Sequence, residues 1–116
     1  MKIRMIAITC MLSAFSAATL SSAANASVDA AAAKALAKSN DCFKCHAVDK
    51  DKKGASFKKI AAKYKGKADG EEKIIKSITT GPKVKMLDDN KEEDHSIIET
   101  KDMGQLKNLA NWILSQ

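Results

Sequence analysis

Apolar positions along much of the chain recur at helical intervals. Phe57, Ile60, Ala61 and Tyr64 stand at i, i+3, i+4 and i+7, which puts one apolar stripe on a helix over residues 56–65. Ile74, Ile75 and Ile78 mark another, begun near Asp69 and ended at Gly81-Pro82, where glycine suits a left-handed cap and proline cannot continue the helix. Leu106, Leu109, Ala110 and Ile113 share a face of the last helix, with Trp112 at its border. Asp102 followed three residues later by Gln105 has the form of a capping box for that helix. Ahead of all these, Ala30 to Ser39 is an alanine-rich helix candidate capped by Asp29 or Ser27 and running straight toward Cys42. No stretch reads as a convincing strand. The pattern predicts an all-α domain of about four helices. It leaves about 20 residues of loop between Gly81 and Asp102, a length that in a compact domain usually serves function.

The first 26 residues follow a different pattern. Met1-Lys2-Ile3-Arg4 forms a short basic start, "MIAITCMLSAFSAATL" an apolar run, and Ala24-Asn25-Ala26 a small-x-small cleavage pattern. This predicts a leader over 1–26 that is removed after Ala26, leaving a soluble exported domain over 27–116. A retained membrane anchor is the rival, but the apolar run is short of the roughly 20 residues a spanning helix needs and is diluted by Ser and Ala. Removal takes Cys10 with it, so Cys42 and Cys45 become the only cysteines.

Charge narrows the partners. Losing Lys2 and Arg4 leaves 18 basic against 14 acidic side chains, a mildly basic domain without arginine. Lysines crowd the stretch from Lys44 to Lys67, and acids the stretch from Asp88 to Asp94. A nucleic-acid binder would interleave such lysines with arginine or aromatics, and the export signal points away from that partner. Most of these lysines are expected to be solvated surface, and a few are candidates for docking a protein.

The chemistry concentrates in "NDCFKCHAV", residues 40–48. Three uses of two cysteines and a histidine at this spacing compete. A thioredoxin-like dithiol expects a βαβ context, which is not readable here. A zinc site would have to draw on Cys42, Cys45, His46 and His95, with no second closely spaced ligand pair. In the third, Cys42 and Cys45 reach the two vinyl groups of one haem and become thioethers, while His46 swings under the iron as proximal ligand. The thin core favours the haem. Phe43, Phe57, Tyr64 and Trp112 are the only aromatics in 27–116, and a chain so rich in alanine and lysine needs something else to fill its middle.

Over the whole of 27–116 the sequence resembles the class I cytochromes c, specifically the small bacterial monohaem type of the periplasm. "AKSNDCFKCHAV" resembles the family's first helix entering its haem motif. "SFKKIAAKYKG" resembles the segment after the proximal loop, and "DMGQLKNLANWILSQ" the C-terminal helix that packs across the first. The resemblance implies the class I cytochrome c fold around one covalently attached haem c, and electron transfer without a catalytic site of its own. The expected partners are redox proteins, with an acidic docking surface for the lysines. A monomer in the periplasm, free of the membrane once the leader is gone, is the expected form. A haem-based small-ligand sensor with a labile distal ligand, or a subunit of a larger periplasmic enzyme, are the alternative functions.

Two departures from the family stand out. The family has Gly-Pro before the helix at Phe57, and a backbone carbonyl there holds the proximal imidazole. Here the stretch is Lys53-Gly54-Ala55-Ser56, with Ala55 in place of the proline, so a looser loop is expected. The family also presents its distal methionine in a proline-rich segment, which is missing. Its ligand lies about a dozen residues after the glycine ending the third helix and about 16 before the tryptophan of the last, by the resemblance alone. His95 is 14 past Gly81 and 17 before Trp112, Met86 is 5 past Gly81, and Met103 is only 9 before Trp112. The resemblance thus implies His95 as distal ligand, with Met86 and Met103 as alternatives.

Overall fold

The fold is described from a computed structural model over residues 27–116. The leader expected over 1–26, with Cys10, lies outside the described residues. Helix α1 (Ala30–Ser39) starts at Asp29, whose carboxylate accepts the Ala32 amide at 3.0 Å. Asp41, in left-handed conformation at φ 58°, then turns the chain into α2 (Cys42–Cys45). Helix α3 (Phe57–Tyr64) is capped by the buried Ser56 hydroxyl, and α4 (Gly70–Thr80) ends at Gly81 with φ 62°. Helix α5 (Met103–Leu114) begins where the Asp102 carboxylate accepts the Gln105 amide at 3.2 Å. Each boundary falls within a residue or two of the apolar pattern, because caps and stripes agree.

Helices α1, α3 and α4 all pack on α5. Ala33 and Ala37 of α1 and Ala110 of α5 are buried, and such small side chains let helices approach closely. The Asn108 side chain locks the start of α1 to α5, its oxygen accepting the Asp29 amide (2.8 Å) and its nitrogen donating to the Asp29 carbonyl (2.9 Å). Trp112 is buried rather than bordering, with ring centres 5.3 Å from Phe57 and 6.5 Å from Phe43. Among the described residues no helix is long and apolar enough to cross a membrane.

Two expectations are corrected. A fifth helix, α2, is a single turn of four residues, too short to show a period. The interval expected as loop holds a two-stranded antiparallel sheet, β1 (Lys83–Lys85) with β2 (Glu92–Asp94), pairing Lys83 with Asp94, Val84 with Glu93 and Lys85 with Glu92. It escaped the hydrophobic pattern because its strands are largely exposed, so nothing apolar alternates along them. Opposite charges across the ladder hold it instead, with Lys83 and Asp94 paired at 2.9 Å. At the turn, Met86 donates to the Lys91 carbonyl (2.8 Å) and Asn90 takes φ 59°. The run Asp88-Asp89-Asn90 was the legible sign of that turn.

Candidate functional site

The hairpin closes over a cavity of about 530 Å³, within the range of small-molecule and cofactor sites. Its walls come from every helix and from the hairpin, and include Cys42, Cys45, His46, Ile74, Ile78, Met86, His95, Leu109 and Ile113. Cys42 and Cys45, at i and i+3 on the single turn of α2, both open into it. Both thiols are free and half-buried, and burial, first, then Asp41 and Cys45 push the Cys42 thiol up against the pull of a backbone hydrogen bond. A thiol kept protonated is the opposite of the lowered one a dithiol exchanger needs.

His46 is fixed on three sides. Its amide closes α2 on the Cys42 carbonyl at 3.0 Å, its ring stacks on Phe57 with centres 5.3 Å apart, and Nδ1 lies 2.5 Å from the Ala55 carbonyl oxygen. That oxygen can only accept, so Nδ1 carries the proton and Nε2 keeps its lone pair. Burial holds the imidazole below its ordinary value, opposed by the Ala55 carbonyl and reinforced by His95 and Lys52. Neutral imidazole with Nδ1–H donated to a carbonyl is the form in which histidine binds metals. The Ala55 carbonyl therefore stands where it is needed without a proline.

His95 follows β2. Its amide donates to the Pro82 carbonyl (2.9 Å), and its Nδ1 lies 2.8 Å from the Ser96 carbonyl oxygen, leaving Nε2 free by the same reasoning. The two imidazole rings line one cavity with centres 6.1 Å apart and planes at 40°. Two imidazoles bound to one metal from opposite sides, each through Nε2 at about 2 Å, would hold their ring centres roughly 6.3 Å apart, whereas at a tetrahedral angle the centres would be about 5 Å apart. Met86 is buried in the same cavity wall, whereas Met103, half-exposed on the first turn of α5, faces a separate groove with Ile75, Thr79 and Ile97. Among the described residues no three His, Cys, Asp or Glu side chains converge on one metal position, so the four-ligand zinc arrangement is not built. An apolar cavity with two thiols on one edge and two inward imidazoles does fit a haem.

Comparison with known proteins decides the family. The cytochrome c family model matches residues 30–116. The chain belongs to the cytochrome c family. It is 53% identical to the class 1 cytochrome MtoD of Sideroxydans lithotrophicus ES-1, covering 77% of this chain and 97% of that one with a TM-score of 0.73. It is 30% identical to the wild-type cytochrome c552 of Nitrosomonas europaea, covering 71% of this chain and 96% of that one with a TM-score of 0.57. It is also 46% identical over 48 residues to the cytochrome c-551 of Pseudomonas denitrificans, a match that spans 41% of this chain and 58% of that relative. This cytochrome is thus a small class I monohaem protein, with one covalently bound haem c and the one-electron chemistry of that class.

The structure brings Cys42, Cys45, His46, His95 and Met86 of this cytochrome to one cavity and leaves Met103 outside it. What sequence reasoning missed is mostly backbone: the Ser96 carbonyl behind His95, and the space Gly54 leaves for the His46 ring. Carbonyls carry no residue signature. Lys53, Lys59 and Lys63, which line the same cavity, were visible only as part of the lysine run from Lys44 to Lys67, and Lys85, which also lines it, lies outside that run.

Proposed function

We propose that this cytochrome is a one-electron carrier of the periplasm, its haem attached through Cys42 and Cys45 and its iron held by His46 on the proximal side and His95 on the distal side. The observation that carries this reading is the pair of inward imidazoles, 6.1 Å apart, each with Nδ1 engaged by a carbonyl. When bound, the haem supplies one exchangeable electron as iron alternates between Fe(III) and Fe(II). The residues of the chain keep everything else constant. Phe57 and the Ala55 carbonyl fix the His46 ring, and the hairpin with the Ser96 carbonyl fixes His95. A haem held by both imidazoles would leave no position open to a substrate. Met86 lines the same cavity as a flexible part of its wall. His/Met ligation raises the reduction potential, so a bis-histidine site sits lower than the methionine-ligated pattern of the family.

Charge supports a docking side. Lys53, Lys63 and Lys85 line the cavity with Glu93, and the other charged residues of its wall are paired, Lys59 with Asp51, Asp41 with Lys44 at 3.1 Å and Asp94 with Lys83 at 2.9 Å. The surplus is positive, which suits an acidic redox partner. The leader over 1–26 supports export as the route to it. The test is carbon monoxide added to the ferrous protein at neutral pH. An unchanged spectrum is expected, and ready formation of a carbon monoxide adduct would turn the reading toward a small-ligand binder.

A further inference from the structure

Four groups form an unbroken hydrogen-bonded line from the protein surface to His46. The Lys59 ammonium pairs with one oxygen of the Asp51 carboxylate. The other oxygen accepts the Ser56 amide at 2.9 Å. That amide belongs to the same peptide group as the Ala55 carbonyl, whose oxygen accepts the proton of His46 Nδ1 at 2.5 Å. One peptide thus has an anion on its N–H and an imidazole on its C=O.

We propose that Asp51 is a positioning residue that tunes the proximal ligand through the Ala55–Ser56 peptide. A carboxylate on the N–H polarises the amide and enriches its oxygen, and hydrogen bonds in such a chain strengthen one another. The enriched oxygen draws the Nδ1 proton harder, so Nε2 becomes a more basic donor. Carboxylates behind metal-binding histidines act in this way directly; here the peptide relays the effect. A basic proximal imidazole favours Fe(III), so Asp51 lowers the reduction potential. Lys59, paired with the same carboxylate, tempers it. The bond also anchors the loop, standing in for the rigidity of the proline that Ala55 replaces. The Ser56 side of this peptide is buried, and Lys59 together with the Ser56 amide keeps Asp51 ionised by holding its carboxyl below the usual range.

This inference rests on His46 as proximal ligand. It is tested on the holoprotein by Asp51→Asn, which keeps an oxygen for the Ser56 amide and removes the charge. The midpoint potential is measured at low salt and at about 1 M salt, where screening shortens to about 3 Å. The His46 Nδ1–H proton is followed by NMR in the diamagnetic ferrous state. Asp51→Asn is expected to shift the electron-transfer equilibrium toward Fe(II) about threefold, roughly 28 mV at 59 mV per tenfold for one electron. The shift persists at high salt, and the Nδ1–H resonance moves upfield. Lys59→Met, which leaves the Asp51–Ser56 bond in place, moves both readouts the other way. An Nδ1–H resonance unchanged in Asp51→Asn, or a potential shift that vanishes at high salt, overturns the relay. The assignment beneath it is judged separately, in the wild type: His46 ring protons without the large upfield shifts of a ring facing a haem would mean that the ligand, not the relay, is misassigned.

Discussion

Gly54 is the position at which one methyl group most directly reaches the site. A Cβ there would stand 2.7 Å from His46 Cε1, 3.1 Å from Nδ1 and 3.3 Å from Nε2. Carbon atoms pack best at about 3.5–4.0 Å, so the ring and the loop must separate by most of an ångström. Turning the ring gives up the bond to the Ala55 carbonyl. Moving the loop gives up the Gly54 amide bond to Cys45 (2.8 Å) and the Lys52 amide bond to Gly54 (3.0 Å). Either route matches the cost of overpacking a close-packed site, about 1–3 kcal/mol. Against this, a side chain at 54 restricts the unfolded chain and returns about 0.4–1 kcal/mol. The net expectation for Gly54→Ala is a loss of up to about 2.6 kcal/mol, centred near about 1.3 kcal/mol, with a shifted reduction potential because the His46 bond is disturbed. Gly66→Ala is the control: φ is 76° and nothing lies within 4 Å of the added Cβ. Left-handed strain of about 1–2 kcal/mol, less the same unfolded-state gain, leaves a loss below about 1.5 kcal/mol and an unchanged potential. Urea unfolding of the two holoproteins, followed by far-UV circular dichroism and haem absorbance, measures the losses, and redox titration the potentials. Gly54→Ala with wild-type stability and potential would refute the reasoning.

Trp112→Ala removes the buried ring packed on Phe57 and Phe43 and should cost about 3–5 kcal/mol in urea unfolding; a loss below about 1 kcal/mol would contradict the packing. Asp51 and Asp69 are held below the ordinary carboxylate range, chiefly by hydrogen bonds from Lys59 and Lys73 respectively. Their folded values lie below their unfolded ones, so this stabilisation is complete above the unfolded value near about pH 4 and is lost as pH falls through the folded values. Acidification from about pH 5 to about pH 3 should therefore destabilise the wild type more than Asp51→Asn, and equal losses would count against it. The rate of electron transfer to an acidic partner should fall as salt rises, with Lys53→Gln and Lys63→Gln flattening the dependence; a rate indifferent to salt would leave the lysines as solvated surface.

Helices with a buried stripe and a good cap were legible from the chain. α5 is the clearest, since Asp102, Leu106, Leu109 and Ile113 all argue for the same element. The hairpin was not, because Lys83 to Lys85 and Glu92 to Asp94 carry only charge and one valine, and their pairing is long-range within the interval. Cys42, Cys45 and His46 announced themselves because the chemistry needs those side chains at that spacing. His95 could be singled out only by carrying over the resembled family's spacing from Gly81 and Trp112. What orients it, the Pro82 and Ser96 carbonyls, is supplied by backbone that any residue would carry. Asp51 carries no signal of its own within the lysine-rich stretch, and its place behind His46 emerges only once the loop folds to bring it beside Ser56.

The central claim is that two imidazoles hold the iron, and the absorption spectrum of the ferric protein, wild type beside His95→Ala, tests it most directly. The wild type is expected to be low-spin without a sulfur-to-iron charge-transfer band, and His95→Ala to lose that state, becoming high-spin or gaining the sulfur band as Met86 takes over. A sulfur-to-iron band in the wild type, or an unchanged low-spin spectrum in His95→Ala, would contradict the account and return the distal position to methionine.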